Sequence, residues 1–181
     1  MKNVNKMSNR NKKFKASLVP AYQKMMMRVE KTQKYTAKKT LQQHIDVASD
    51  RAVELNELSR EEASLIGDYL RRDLHDAAHF IATTEQALAD WIRFDLALIE
   101  ESLLDMFSLM VDHTQQELEN LAERARQAIE WNSGEITGLG TLYCENCTHA
   151  VHFHQPDYIP VCQNCGATRF KRIIEEENGG E

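Results

Sequence analysis

Between Leu18 and Trp131 the chain contains a single proline, Pro20, and a single glycine, Gly67. So long a stretch with so few residues that bend or break a regular backbone suits extended helices and is ill suited to a turn-rich sheet. An all-β fold is excluded, and the expected class is mainly α. Of the 181 residues, 42% are apolar, enough to build a packed core and too many for disorder throughout. The most hydrophobic stretch is broken by Arg93, Asp95, Glu100, Glu101 and Asp105. A bilayer-spanning helix needs about 18 to 20 apolar residues, so none is expected here.

Pro20 is best tolerated in the first turn of a helix, where its missing N–H is not needed, and a first helix is expected to start there. Apolar residues follow at Tyr22, Met25, Met26 and Val29, then as a heptad seam at Leu41, Ile45, Ala48, Ala52 and Leu55. The Lys- and Thr-rich stretch from Thr32 to Thr40 supplies little apolar area, so this helix should be well packed mainly in its second half. Ser59 and Glu62 have the spacing of a capping box and predict the start of a second helix. Its apolar positions include Ile66, Leu70, Leu74, Ala77, Ile81, Leu88, Ile92, Leu96, Ile99, Leu103, Met106, Met110, Leu118, Leu121, Ala125 and Ile129. Unbroken, residues 59–131 would form a rod of about 110 Å. Such a rod needs a partner along its length. Either it folds back near Thr83–Gln86 into a long helical hairpin or bundle, or it pairs with another chain as a coiled coil. Tyr69, Phe80, Trp91, Phe94 and Phe107 are spread along it and read as packing residues.

The net charge of −6 conceals a polarity. Residues 1–39 carry twelve Lys or Arg against the lone acid Glu30, while residues 40–181 are strongly acidic. The basic end lacks the apolar core of a secretory signal, and the expected compartment is the cytoplasm. A basic arm can contact phosphates or remain solvated, whereas the acidic body makes a poor nucleic-acid platform. His75 and His79 stand at i and i+4, as in zinc proteases, but Asp76 occupies the place of the required Glu and no third ligand is evident. An ordinary histidine pair is expected there, and His44 and His113 read the same way.

Asn132–Gly134 should stop the helix, and Glu135–Tyr143 reads as an extended strand leading into a second module. All four cysteines of the chain lie there, as Cys144-Glu145-Asn146-Cys147 and Cys162-Gln163-Asn164-Cys165 with fourteen residues between the pairs. Two residues between thiolates let a tight turn aim both sulfurs at one ion, and two such knuckles complete a tetrahedron. Cys144, Cys147, Cys162 and Cys165 are therefore the expected metal ligands, with one structural Zn²⁺ preferred and iron the alternative that spacing does not separate from it. Two disulfides are disfavoured in a cytoplasmic chain. His149, His152 and His154, between the knuckles, read as surface residues, and Arg169, Lys171 and Arg172 as cations that offset the charge of four thiolates. A module of about 40 residues cannot bury an adequate core, so metal should supply most of its stability.

The run Ser133–Cys147, followed by Pro156, Cys162-Gln163-Asn164-Cys165-Gly166 and Phe170, resembles the bacterial zinc-ribbon-containing proteins of the YbeL-like family, a domain of unknown function. Tyr22, the helix start at Leu58–Glu62 and the Arg71-Arg72-Asp73-Leu74 step carry the resemblance upstream, so that it covers roughly residues 20–172. It implies a helical N-terminal region and a C-terminal zinc ribbon in a cytoplasmic bacterial protein, and supplies no catalytic residue. One departure is Thr148, which follows the first knuckle where many zinc knuckles place Gly.

The expected plan is a basic, disordered arm over residues 1–17, a helical, coiled-coil-like domain over 18–132, a zinc ribbon over 133–173 and an acidic disordered tail over 174–181. The expected role is non-enzymatic, an interaction or regulatory protein that binds a protein partner or a second copy of itself. Two alternatives stand beside it: nucleic-acid association through ribbon and arm, and a thiol or zinc redox sensor.

Overall fold

A computed structural model describes residues 3–36, 39–84, 86–121 and 130–172. Five helices precede a small β module: α1 (Asn3–Tyr35), α2 (Leu41–Glu54), α3 (Arg60–Thr84), α4 (Leu88–Ile92) and α5 (Glu101–Leu121), with a 3-10 turn at Leu96–Leu98. The strands are β1 (Trp131–Asn132), β2 (Ile136–Thr137), β3 (Gly140–Cys144), β4 (Ala150–Phe153), β5 (Asp157–Tyr158) and β6 (Arg169–Lys171). The mainly helical class with a small C-terminal β region is as expected. The expected acidic tail lies outside the described residues, as do Ala125 and Ile129.

Helix α1 begins at Asn3, so residues 3–17 are helical rather than a disordered arm, and Pro20 falls inside the helix instead of opening it. Lys, Arg, Met and Asn without Gly permit helix before the proline, which forfeits one backbone hydrogen bond. Packing is not confined to the second half, because Leu18, Tyr22, Met25, Met26 and Val29 are all buried as well. The first helix ends at Tyr35, and α2 is a separate helix. Thr40 caps it by a reciprocal box: Gln43 N–H donates to Thr40 Oγ1 at 3.2 Å, and Thr40 N–H donates to Gln43 Oε1 at 3.0 Å. Leu41, Ile45, Ala48 and Ala52 of the seam are buried, and Leu55, just past the helix end, is exposed.

The Ser59–Glu62 box forms at the head of α3 as read, with Ser59 N–H donating to Glu62 Oε2 and Glu62 N–H to Ser59 Oγ. Residues 59–131 do not form one rod: α3 stops at Thr84, where the fold-back was expected, and α5 packs against α3. Thr83 and Thr84 hydroxyls bond back to the His79 and Phe80 carbonyls, where α3 stops. The next turn, α4, is opened by Asp90, which accepts from Ala87 N–H at 3.0 Å, and closed by Arg93 in the left-handed conformation at φ 63°. Asp95 then caps the 3-10 turn. Short polar side chains that compete for backbone donors thus divide what apolar periodicity alone would join. Helix α3 lies at the centre, against α1, α2, α5 and β2.

The β module holds a four-stranded antiparallel sheet in the order β1-β6-β3-β4 and a two-stranded pair β2-β5. The expected single strand from Glu135 to Tyr143 is two strands in different sheets, parted at Gly138 and Leu139. Trp131 pairs with Phe170, which brings the ribbon's first strand two residues ahead of the expected boundary. The module's own core is small: Trp131, Leu142, Cys144, Phe153, Ile159, Cys162 and Phe170. Ile136 and Leu139 belong instead to the core of the helical body. The two parts therefore share a buried interface.

Candidate metal centre

Each knuckle is a tight turn built by the same backbone bonds. Thr148 N–H donates to Cys144 O at 2.9 Å, and Gly166 N–H to Cys162 O at 2.8 Å. Both residues have positive φ, 57° at Thr148 and 77° at Gly166. A β-branched residue is strained in that region, so Thr148 carries a cost that Gly166 does not. Its hydroxyl bonds to Cys147 O at 2.8 Å in partial compensation. The first knuckle leaves β3 and returns as β4, while the second precedes β6; Cys144 stands opposite Phe170 across the β3–β6 pair.

The four sulfurs, on which the sequence placed the ligands, come together. Cys144 Sγ lies 3.5 Å from Cys165 Sγ and Cys147 Sγ 3.6 Å from Cys162 Sγ, and all four are within 4.8 Å of one another. Four sulfurs held at about 2.3 Å from one tetrahedral Zn²⁺ stand about 3.8 Å apart, so the cluster fits such an ion. None of the four cysteines is joined in a disulfide. Among the described residues no other group of three or more His, Cys, Asp or Glu side chains is arranged to hold a metal. His149, His152 and His154 lie outside the cluster; His152 and His154 present their rings to the Phe94 ring edge-on, at 5.6 and 4.7 Å.

The residues between the cysteines brace the cage crosswise. The Asn146 side chain, in the first knuckle, hydrogen-bonds Cys165 in the second and, with Ala167 N–H, draws that thiol down to about 6. The Asn164 side chain, in the second, hydrogen-bonds Cys147 in the first and lowers it in the same way. Burial pushes the Cys144 thiol up to about 11, against donation from the backbone of Asn146 and Cys147. Such outer donors stabilise thiolate ligands and orient them. The repeated Cys-x-Asn-Cys pattern was visible in the sequence, but its crossed pairing was not.

Below the cage a second polar cluster, absent from the sequence reading, fastens the ribbon to the helices. Asp73 on α3 is fully buried. Its carboxylate accepts from Gly138 N–H at 2.6 Å, Tyr22 Oη–H at 2.9 Å, Trp131 Nε1–H at 3.1 Å and Thr137 Oγ1–H at 3.3 Å. Arg72 Nε and Arg172 Nη2 stand 3.3 and 3.5 Å away. Burial opposes ionisation, but the two guanidiniums and the Gly138 and Trp131 donors outweigh it and hold the carboxyl below its usual range. Arg172, expected beside the thiolates, is buried at this joint; its guanidinium lies over the Trp91 ring at 4.5 Å and the Trp131 ring at 5.3 Å. Arg169 pairs with Glu145 of the first knuckle at 3.3 Å. Asp76 accepts from Trp91 Nε1–H at 2.8 Å, while half-buried His75 and exposed His79 stack on each other at 6.1 Å, the ordinary pair expected.

The sequence profile of the zinc-ribbon containing domain matches residues 27–173. The chain belongs to that family. It is 31% identical over 132 residues to the uncharacterized protein YbeL of Escherichia coli (strain K12), an alignment covering 71% of this chain and 79% of YbeL. The YbeL proteins of Escherichia coli O157:H7 and of O6:H1 (strain CFT073 / ATCC 700928 / UPEC) match to the same extent. No solved structure matches the chain. The family match and the cluster of four cysteines together support zinc binding. Among the described residues no helix is long and apolar enough to cross a membrane.

Proposed function

We propose that the protein is a non-enzymatic interaction or regulatory protein of the cytoplasm, in which a helical scaffold presents a structural four-cysteine zinc ribbon to a protein partner or to a second copy of the chain. The donor set carries this reading. With cysteine sulfur at all four corners, a tetrahedral ion has no position left for water or substrate, whereas catalytic zinc keeps one open. Zinc is favoured over iron as the commoner occupant of structural ribbons with four cysteine ligands, and a colourless purified protein distinguishes it from iron. Strand β4, which carries exposed His152, lies at one edge of the ribbon's sheet. Affinity purification from the native cell, with and without nuclease, tests the role: a recurrent protein partner or self-association that survives nuclease supports it, and recovery of neither contradicts it.

The twelve basic residues among the first 39 favour a second reading, in which ribbon and basic end associate with nucleic acid. Binding would then fall steeply between about 50 and 200 mM salt, as counterion release requires. It would also be lost on neutralising Lys12, Lys13 and Lys15.

A further inference from the structure

We propose that metal in the cage seats Arg172 in the joint between ribbon and helical body, so that loss of the metal unlatches the joint. The inference rests on the cage holding zinc and extends that reading to the helices. Arg172 directly follows β6, which is three residues long. That strand pairs with β1 at two positions and with β3 at two, one of them Cys144 opposite Phe170. The second knuckle lies just upstream of β6, and Cys162 N–H donates to Ala167 O at 2.9 Å. The position of Arg172 is therefore set by a strand anchored to β1 on one side and, on the other, to the strand of a metal ligand, just after the turn that carries two more. Without the ion, the seven-residue core of the ribbon has too little apolar area to hold this register.

At the other end of the latch, Arg172 donates to Leu139 O at 3.0 Å and to Thr137 Oγ1 at 2.6 Å, and faces Asp73. Its charge also acts on Asp76, which Asp73 in turn repels. Withdrawal of Arg172 leaves two neighbouring carboxylates on α3 with one cation fewer and opens a water path to Asp73. The interface made by Trp91, Thr137 and Leu139 then loosens. The latch couples metal and docking in both directions, because a linked equilibrium must shift each partner by the same factor.

The two tryptophans of the chain are the two rings that flank Arg172, one on α4 and one on β1. Fluorine NMR of the full chain labelled with 5-fluorotryptophan, assigned with Trp91→Phe and Trp131→Phe, reads both sides of the joint while a chelator removes Zn²⁺ and elemental analysis follows the metal. The expected result is that both resonances move together as zinc leaves. A Trp91 resonance that keeps its place after the metal has gone overturns the latch while leaving zinc binding intact; a chain with no zinc to remove overturns the zinc reading and the latch together. In the reciprocal arm, Asp73→Asn should weaken zinc affinity tenfold or more in chelator competition, and Arg172→Lys should do so if the Asp73 variant fails to fold. Unchanged affinity in a folded variant overturns the coupling.

Discussion

Asp73 on α3 accepts a 2.6 Å hydrogen bond from the backbone N–H of Gly138 in the ribbon, joining residues 65 apart in the chain. A Cβ at position 138 would lie 2.9 Å from Tyr22 Oη and 3.4 Å from Asp73 Oδ2. The absence of a side chain there is what lets the ribbon backbone approach the carboxylate.

Replacing Asp73 with Ala leaves Arg72 and Arg172 without their shared counter-charge, and breaking a buried pair in this way typically costs about 3 to 5 kcal/mol. Urea titration of the zinc-loaded full chain should show that loss. Gly138→Ala should cost about 1 to 3 kcal/mol through overpacking, since the phenol and carboxylate it meets are themselves hydrogen-bonded. A loss below about 0.5 kcal/mol in both variants would contradict the role given to this joint.

The helices and the ligands could be read from the sequence because each is local: apolar periodicity, the Ser59–Glu62 box and the two Cys-x-x-Cys turns need only neighbours in the chain. The fold-back near Thr83–Gln86 was legible too, whereas the break at Tyr35 and the short turns at Leu88–Ile92 and Leu96–Leu98 follow caps at Thr40, Asp90 and Asp95, single positions that a periodicity count passes over. The joint was hidden for a different reason. Asp73 and Arg172 are 99 positions apart in the chain, and nothing about either residue type announces a buried partner. Arg172 even suggested the wrong one, because four thiolates nearby in sequence were the obvious anion.

Thr148 holds φ 57° where its counterpart in the second knuckle is glycine. Thr148→Gly relieves that strain but loses the Oγ1 bond to Cys147 O and frees the unfolded backbone. Left-handed strain of about 1 to 2 kcal/mol outweighs a surface hydrogen bond, so the variant should be slightly more stable, by about 0.5 kcal/mol. A thermal shift of the zinc-loaded protein reads the sign.

Asn146 and Asn164 each stabilise a cysteine of the opposite knuckle. Removal of outer-shell donors commonly costs 10- to 100-fold in metal affinity, so Asn146→Ala and Asn164→Ala should each weaken zinc binding by about tenfold. Because Asn146 acts on the thiol drawn down to about 6, its loss should also move zinc release on acidification to higher pH. Chelator competition across a pH series separates the two effects.

His44 on α2 is buried, with its Nδ1 3.0 Å from Thr32 Oγ1 of α1. Burial, Lys39 and His113 lower its pKa, against Glu117, so the unfolded chain, with a histidine pKa of about 6.5, takes up the proton first as pH falls. The corresponding stability is whole above about pH 6.5 and is lost as pH drops through the folded value. His44→Gln carries no such titration. The stability difference between wild type and variant, in the same metal state, should therefore move in the variant's favour between pH 7.5 and 5.5; a difference that stays constant would contradict the assignment.

Native mass spectrometry of the full chain, grown and purified under reducing conditions, tests the metal centre most directly. One zinc ion per chain, lost on Cys162→Ser, is the predicted result, and a metal-free chain that keeps its ribbon folded would contradict it.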